Sequence, residues 1–223
     1  MNVKILLSIC TVLFFCEALL FAEDGKVLLI TKFPSPPIAI SELVVVPETN
    51  MEAYPMRKIR EFYVPTGTTN LALHQPVAAS CRATVGNLGM LTDGDKDGDD
   101  GGWLELEAGK QWVQIDLQNE STIYAVLVWH YYYRSRVYLN VVVAVSDDPE
   151  FKKDVKVVFN NDLENIIGLG KCADHNYIED FRGKWIDAKG VKGRFVRLYS
   201  NGNFANKLNH YVEVEVFGKE WKK

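Results

Sequence analysis

From residue 112 the chain alternates. Val113, Ile115 and Leu117 are apolar, and Gln114 and Asp116 between them are polar. A period of two predicts a strand with one face in a core. Residues 123–129 are continuously apolar, the pattern of a strand buried on both faces. Residues 137–145, 155–159, 195–199 and 211–217 are further runs rich in β-branched or aromatic residues. In the last, Val212, Val214 and Val216 alternate with Tyr211, Glu213, Glu215 and Phe217. Turn residues separate the runs: Asp147-Asp148-Pro149, residues 168–170, and Asn201-Gly202-Asn203. No helical period is sustained over three turns. The pattern predicts a single all-β sandwich over residues 68–218, with a short tail at 219–223.

Ahead of it lies a different texture. Six of the eight prolines fall between Pro34 and Pro65. Residues 23–67 therefore read as a proline-rich extended arm with β-like runs at 27–30 and 43–46. The arm is too apolar for a pure linker, so we expect it to lie along the sandwich as extended chain. Before it, Lys4 opens an apolar run over residues 5–15, and small residues follow at Ala18 and Ala22. This is the layout of a secretory signal peptide over residues 1–22, with cleavage after Ala22 or, in competition, Ala18. No second apolar run reaches membrane-spanning length. The expected protein is secreted or extracytoplasmic.

Composition narrows the function classes. At 223 residues with a formal charge of −4, the chain has no basic run except the Trp221-Lys222-Lys223 end. Nucleic-acid binding needs clustered Lys and Arg for phosphates and is excluded on that ground. Beyond the signal segment the cysteines are Cys81 and Cys172. Two cysteines in an exported chain suggest one disulfide.

The strongest chemical signal is the stretch 92–107, TDGDKDGDDGGWLELE. It holds seven acidic residues and one basic residue. So much negative charge in a Gly-rich turn repels itself unless a cation screens it, and closely spaced carboxylates suit Ca²⁺. Asp93, Asp95, Asp97 and Gly98 match the opening of an EF-hand loop, but position twelve is Leu104 and no helices flank it. The loop is therefore not an EF-hand.

Several stretches together resemble the discoidin, or coagulation-factor-5/8 type C, domain. They are Asn70-Leu71-Ala72 with Pro76, Leu91-Thr92-Asp93-Gly94-Asp95, and Trp112-Val113-Gln114-Ile115-Asp116-Leu117. Val145-Ser146-Asp147-Asp148, Gly193-Arg194-Phe195-Val196-Arg197-Leu198 and the closing Val212 to Gly218 follow in order. The resemblance covers residues 70–218. It implies the galactose-binding-like jelly roll also used by carbohydrate-binding modules. It further implies a structural Ca²⁺ held by Asp93, Asp95 and Glu213, with loop carbonyls near Leu91. The family places Thr or Ser, then Trp, soon after the Asp-Gly. Here Asp97 to Asp100 fill that region and Trp103 comes later, so Asp97 and Asp100 are both candidates for the third loop ligand.

A sugar site pairs an aromatic face with planar hydrogen-bonding groups. Two inter-strand segments offer both. The first carries His130, Tyr131, Tyr132 and Arg134, and the second carries Asn203, Asn209 and His210. Strand alternation turns at least one of Tyr131 to Tyr133 inward, and Asn209 and His210 can instead brace the strand that bears Glu213. No G-x-S-x-G, H-E-x-x-H or phosphate-binding loop is present. The expectation is a secreted non-catalytic module that binds carbohydrate or a glycoconjugate. A protein- or phospholipid-binding adhesion domain is the alternative, and a glycan-acting enzyme ranks below both. Asn119-Glu120-Ser121 is a glycosylation sequon.

Overall fold

The computed structural model describes residues 25–36, 50–52, 61–134 and 136–221. The signal segment, the 43–46 run and the terminal Lys222-Lys223 lie outside the described residues. Among the described residues eleven strands form: β1 (Lys26–Leu28), β2 (Tyr63–Pro65), β3 (Thr69–Asn70), β4 (Val77–Ala79), β5 (Leu104–Leu106), β6 (Lys110–Trp129), β7 (Val142–Ser146), β8 (Lys156–Asn160), β9 (Lys184–Asn201), β10 (Asn209–Tyr211) and β11 (Glu213–Glu220). One short 3₁₀ turn covers Leu88–Thr92, capped by the Asn87 side chain.

The alternating run at 113–117 and the apolar run at 123–129 belong to one long strand, β6, which pairs antiparallel with β9 on both sides of a break at residues 117–120. The register shifts between Asp116 and Ser121 and again between Ile123 and Ala125. Gln118 takes a left-handed φ of 67° there, and residues 118–120 are exposed. A bulge of this kind bends both strands sharply. The first half of β6 pairs with β4, and the matching half of β9 pairs with β7, which pairs with β8. The second half of β6 pairs with β11, which pairs with β3. Val113 and Ile115 from one half share a core with Val126, Val128, Val214 and Val216 from the other. The sheet thus folds over itself as a jelly-roll sandwich.

Both faces of residues 123–129 are buried, as their composition requires. Val126 and Val128 face the sandwich core. Ala125, Leu127 and Trp129 face outward, under Leu29, Val64, Phe33 and Phe62. The β1–β2 hairpin therefore lies on a sheet face that would otherwise expose apolar side chains to water. At a second place Asn50 and Met51 lie along Asn176, with Glu52 ion-paired to Lys184.

Two features depart from the pattern. Residues 137–141 are not strand, because Asn140 adopts a left-handed φ of 53° and Tyr138 makes an isolated bridge to Asn203. Residues 184–194 are strand although Gly190 and Gly193 interrupt their pattern. A Cβ at Gly193 would meet Val145 Cγ1 at 2.4 Å, so only Gly fits where the sheet halves approach.

The expected disulfide is not formed; Cys81 and Cys172 are both free. Cys81 follows β4, and Cys172 follows β8. Strands β6, β9 and β7 lie between those edges. At roughly 4.8 Å per strand step the gap far exceeds a disulfide's reach. The Cys172 thiol instead donates to the Asp174 carbonyl at 3.1 Å.

Gly183 tests the packing of the outer face. It has a φ of +65°, and a Cβ there would meet the Trp129 ring at 2.5 Å. We expect Gly183→Ala to destabilise the fold by about 3 kcal/mol, read as a lower urea midpoint with an unchanged m-value.

Candidate functional site

The bend in β6 brings its two ends to the same end of the sandwich. Strands β5 and β10 bridge them: Leu104 pairs with Tyr211 and Leu106 with Asn209. The loops after Trp129 and Asn201 meet there as well, through the bridge from Tyr138 to Asn203.

The acidic loop runs along one side of this end. Asp93, Asp95, Asp97, Asp99 and Asp100 are exposed. Each of the first three accepts, through Oδ1, the backbone N–H two residues on. The Tyr133 hydroxyl also donates to Asp97 Oδ1. With the arm residues Lys32 to Ser35, the stretch from Gly94 to Asp97 encloses a cleft of about 270 Å³.

Glu213 meets this loop from β11. Its side chain is 0% exposed. Oε2 accepts the Gly94 N–H at 3.2 Å, while Oε1 has no partner among the described residues. Burial pushes its carboxyl up to about 9, with Asp93 and Glu215 adding to the shift against the pull of Gly94 N–H and Lys96. Next to it, the buried Lys96 ammonium pairs with Glu215 at 2.7 Å and lies 5.2 Å from the Trp129 ring centroid. Thr31 of the arm donates to the other Glu215 oxygen at 2.8 Å. Among the described residues no group of three or more carboxylate, imidazole or thiol side chains converges on one point. A cation here must draw on backbone carbonyls as well as on Asp93 and Glu213.

The second part of the end is an aromatic face. Tyr131 is partly exposed, with Trp103 packed edge-on at 4.9 Å between centroids and the Arg136 guanidinium 4.8 Å from its ring. Arg136 Nη1 lies 3.3 Å from His210 Nδ1, which also accepts from the Tyr138 hydroxyl at 3.0 Å. His210 Nε2 donates to Glu105 Oε2 at 3.1 Å. Burial, with Arg136 nearby, holds the His210 imidazole down at about 4. The ring is therefore neutral and carries its hydrogen on Nε2. Arg134 is exposed nearby in sequence.

The remaining expected ligand residues turn inward. His130 and Glu179 are both fully buried, with Nδ1 donating to Oε1 at 2.7 Å. Tyr138 stacks on the His130 ring at 4.3 Å, and Tyr211 lies 4.8 Å away. Tyr132 is buried and donates to the Lys96 carbonyl at 2.8 Å. Desolvation raises its phenol to about 12. Asn203 closes its own turn, accepting from the Ala205 and Asn206 N–H groups and donating to Leu208. Asn209 is 0% exposed and makes bonds with Ser200, Gly202, Glu107 and Gly109. His130, Tyr132, Asn203 and Asn209 are buried and shape the loops from within. Of the sequence candidates, Tyr131 and Arg134 reach the surface and His210 sits directly behind it. Trp103, Glu105 and Arg136 complete the face. The available signal for two of them was the alternation Trp103-Leu104-Glu105-Leu106, which puts Trp103 and Glu105 on one side of β5.

Comparison with known proteins places the fold. No family model matches the chain, and no curated protein matches it. A family 89 glycoside hydrolase from Clostridium perfringens aligns with a TM-score of 0.51 at 16% identity, over 68% of this chain and 15% of the hydrolase. A fucose-binding module from Streptococcus pneumoniae aligns at 0.46 and 20% identity, over 69% of this chain and 99% of the module. A chitosan-binding module from Paenibacillus sp. IK-5 aligns at 0.46 and 17%, over 67% and 99%. The likeness, at under 25% identity, is one of fold: a jelly-roll β-sandwich.

Two outcomes follow for stability. Removing the carboxylate that His130 Nδ1 bonds leaves a buried donor unsatisfied, so Glu179→Ala should lower stability by about 1–3 kcal/mol in a urea titration. His210 has an ordinary value of 6.5 and a folded value of about 4. Between those limits the unfolded chain binds the proton first, so this residue's contribution is lost as pH falls through the window. With no cation bound, Glu213 has the opposite slope, since burial keeps its carboxyl protonated up to about 9. His210→Gln should therefore make the stability slope between pH 4 and 6.5 more negative than in the parent chain.

Proposed function

We propose that the chain is an exported, non-catalytic domain that binds carbohydrate through the Tyr131 face and carries a structural calcium beside it. The observation that carries the sugar reading is the partly exposed Tyr131 ring, backed by Trp103 and flanked by Arg136. An aromatic ring supplies a stacking surface for sugar C–H groups, and the guanidinium supplies planar hydrogen bonds. The face lies at the loop end of a sandwich, where loop exchange alters specificity without disturbing the core. The structural neighbours include modules described as binding fucose, chitosan and pectin. Export rests on the N-terminal segment at residues 1–22.

Calcium is supported by the donor set. Glu213 Oε1 is buried without a partner, which a carboxylate tolerates poorly. A hard divalent cation seated between Asp93, Glu213 and loop carbonyls satisfies it. Asp97, engaged by Tyr133, and the exposed Asp100 rank behind Asp93 as ligands. Such an ion would tie the loop after the 3₁₀ turn to the last strand and stabilise the folded state by mass action.

A second reading, a protein- or lipid-binding domain, draws on a separate observation. Leu163, Ile166 and Phe204 are 67%, 42% and 42% exposed, on loops joined through Asn140 and Asn201.

A glycan array probed with the calcium-loaded protein separates the two readings. Saturable binding to one sugar class is expected, and Tyr131→Ala should weaken it by about tenfold or more. A blank array from folded protein would move the function to the apolar loops. Millimolar calcium should raise the melting temperature by several degrees, and Glu213→Gln should abolish that shift. An unmoved melting point in excess chelator would remove the calcium assignment.

A further inference from the structure

We infer that the glycan bound at the Tyr131 face is acidic, and that its carboxylate is received by Arg136. The inference rests on the sugar-binding reading above and names the ligand class for that site.

The argument is an account of donors and acceptors. A neutral sugar presents hydroxyls, each of which donates as well as accepts. A site for it needs acceptors of its own, and carboxylates or imidazole nitrogens usually supply them. At this face each of those acceptors already holds a donor. Glu105 Oε1 accepts from the Thr84 hydroxyl at 2.8 Å, and Oε2 from His210 at 3.1 Å. His210 Nδ1 accepts from Tyr138 and faces Arg136.

The unengaged groups packed against the Tyr131 ring are donors. Arg136 Nε and Trp103 Nε1 both lack a partner among the described residues, and both are shielded from water. A buried donor left without a partner destabilises the unliganded site. The two side chains pack against the same Tyr131 ring. A small rotation of either toward the open side lets an anionic oxygen satisfy it. A carboxylate has acceptor capacity only, and a guanidinium fork matches it with two parallel bonds. The Glu105–His210–Arg136 series then holds the guanidinium from behind, with a neutral imidazole as spacer.

The acidic loop opposes an anionic ligand. Its carboxylates are exposed and screened by salt beyond about 8 Å, and Tyr133 caps Asp97. Calcium in the loop reduces the repulsion further, so the calcium-loaded full chain is the form to test.

The experiment is a calorimetric titration with trigalacturonate and trimannuronate, and with the methyl esters of both. The esters keep the rings and hydroxyls and lose the charge. At least one acid should bind about tenfold or more tightly than its ester, a difference of about 1.4 kcal/mol. Arg136→Gln should erase that difference, while Arg136→Lys should retain part of it. Melting curves of both variants confirm that they fold, and the Lys variant keeps the test open if the Gln variant does not. Equal binding of acid and ester, or binding of neutral glycans alone, would overturn the acidic assignment and leave the sugar reading standing. Binding of a sulfated oligosaccharide in place of both uronates would overturn the carboxylate. Failure of every glycan would instead remove the sugar reading itself.

Discussion

Everything at the loop end depends on the ladder between β6 and β9, which is broken only at its bulges. The two strands stay paired from Lys110 with Asn201 to Val128 with Lys184. They bend together at a bulge where Gln118 adopts a left-handed conformation. One pair of strands thereby serves both layers of the sandwich. The cost is the loss of ladder hydrogen bonds at the bulge, offset by two half-sheets that close on one core. Because the ladder folds back, the loops that enter and leave it emerge side by side. Residues distant in sequence, such as Glu105, Tyr131 and His210, come within contact for that reason alone.

The loop end is built largely from polar groups that solve one another's hydrogen-bonding needs. Asn209 satisfies two backbone carbonyls and a backbone N–H, and the buried Asp162 carboxylate receives the Ile166 and Ile167 N–H groups. Such networks leave no cheap alternative arrangement, since any broken bond strands a buried group. Loops held this way keep their shape without secondary structure, and a rigid loop loses little entropy when a ligand binds. The exceptions inform most. Among the described residues Glu213 Oε1, Arg136 Nε and Trp103 Nε1, with His130 Nε2 and Glu179 Oε2 deeper in, are among those that stand unpartnered beside groups that are satisfied.

The acidic loop and the aromatic face are mechanically joined. Tyr132 and Tyr133 donate to the Lys96 carbonyl and the Asp97 carboxylate, and Tyr131 between them and Trp103 forms the face. An ion that fixes the loop therefore also fixes the backbone that carries the ring. The arm joins the same assembly through Thr31, which reaches Glu215 and so the Lys96 pair. It covers Leu127 and Trp129 on the outer face, a role that explains why its residues are too apolar for a linker.

Binary pattern alone determined the sandwich. Alternation at residues 113–117 and 211–217, and the solid apolar run at 123–129, report burial directly, because burial is what selects side chains in a strand. The Asp-Gly-Asp loop was legible as a charged feature, since that much like charge demands a partner, whereas Glu213 was singled out only by the family resemblance. Local pattern could not show that two predicted strands were one bent strand. Nor could it show that His130 would pair with Glu179 inside the core, or that Asn203 and Asn209 would be consumed by their own turns. Polar residues look alike in sequence whether they face a ligand or a neighbouring carbonyl. Only the tertiary structure decides which of them keep a free donor, because that depends on partners such as Glu105 and His210, brought to Arg136 by strand pairings about a hundred residues apart.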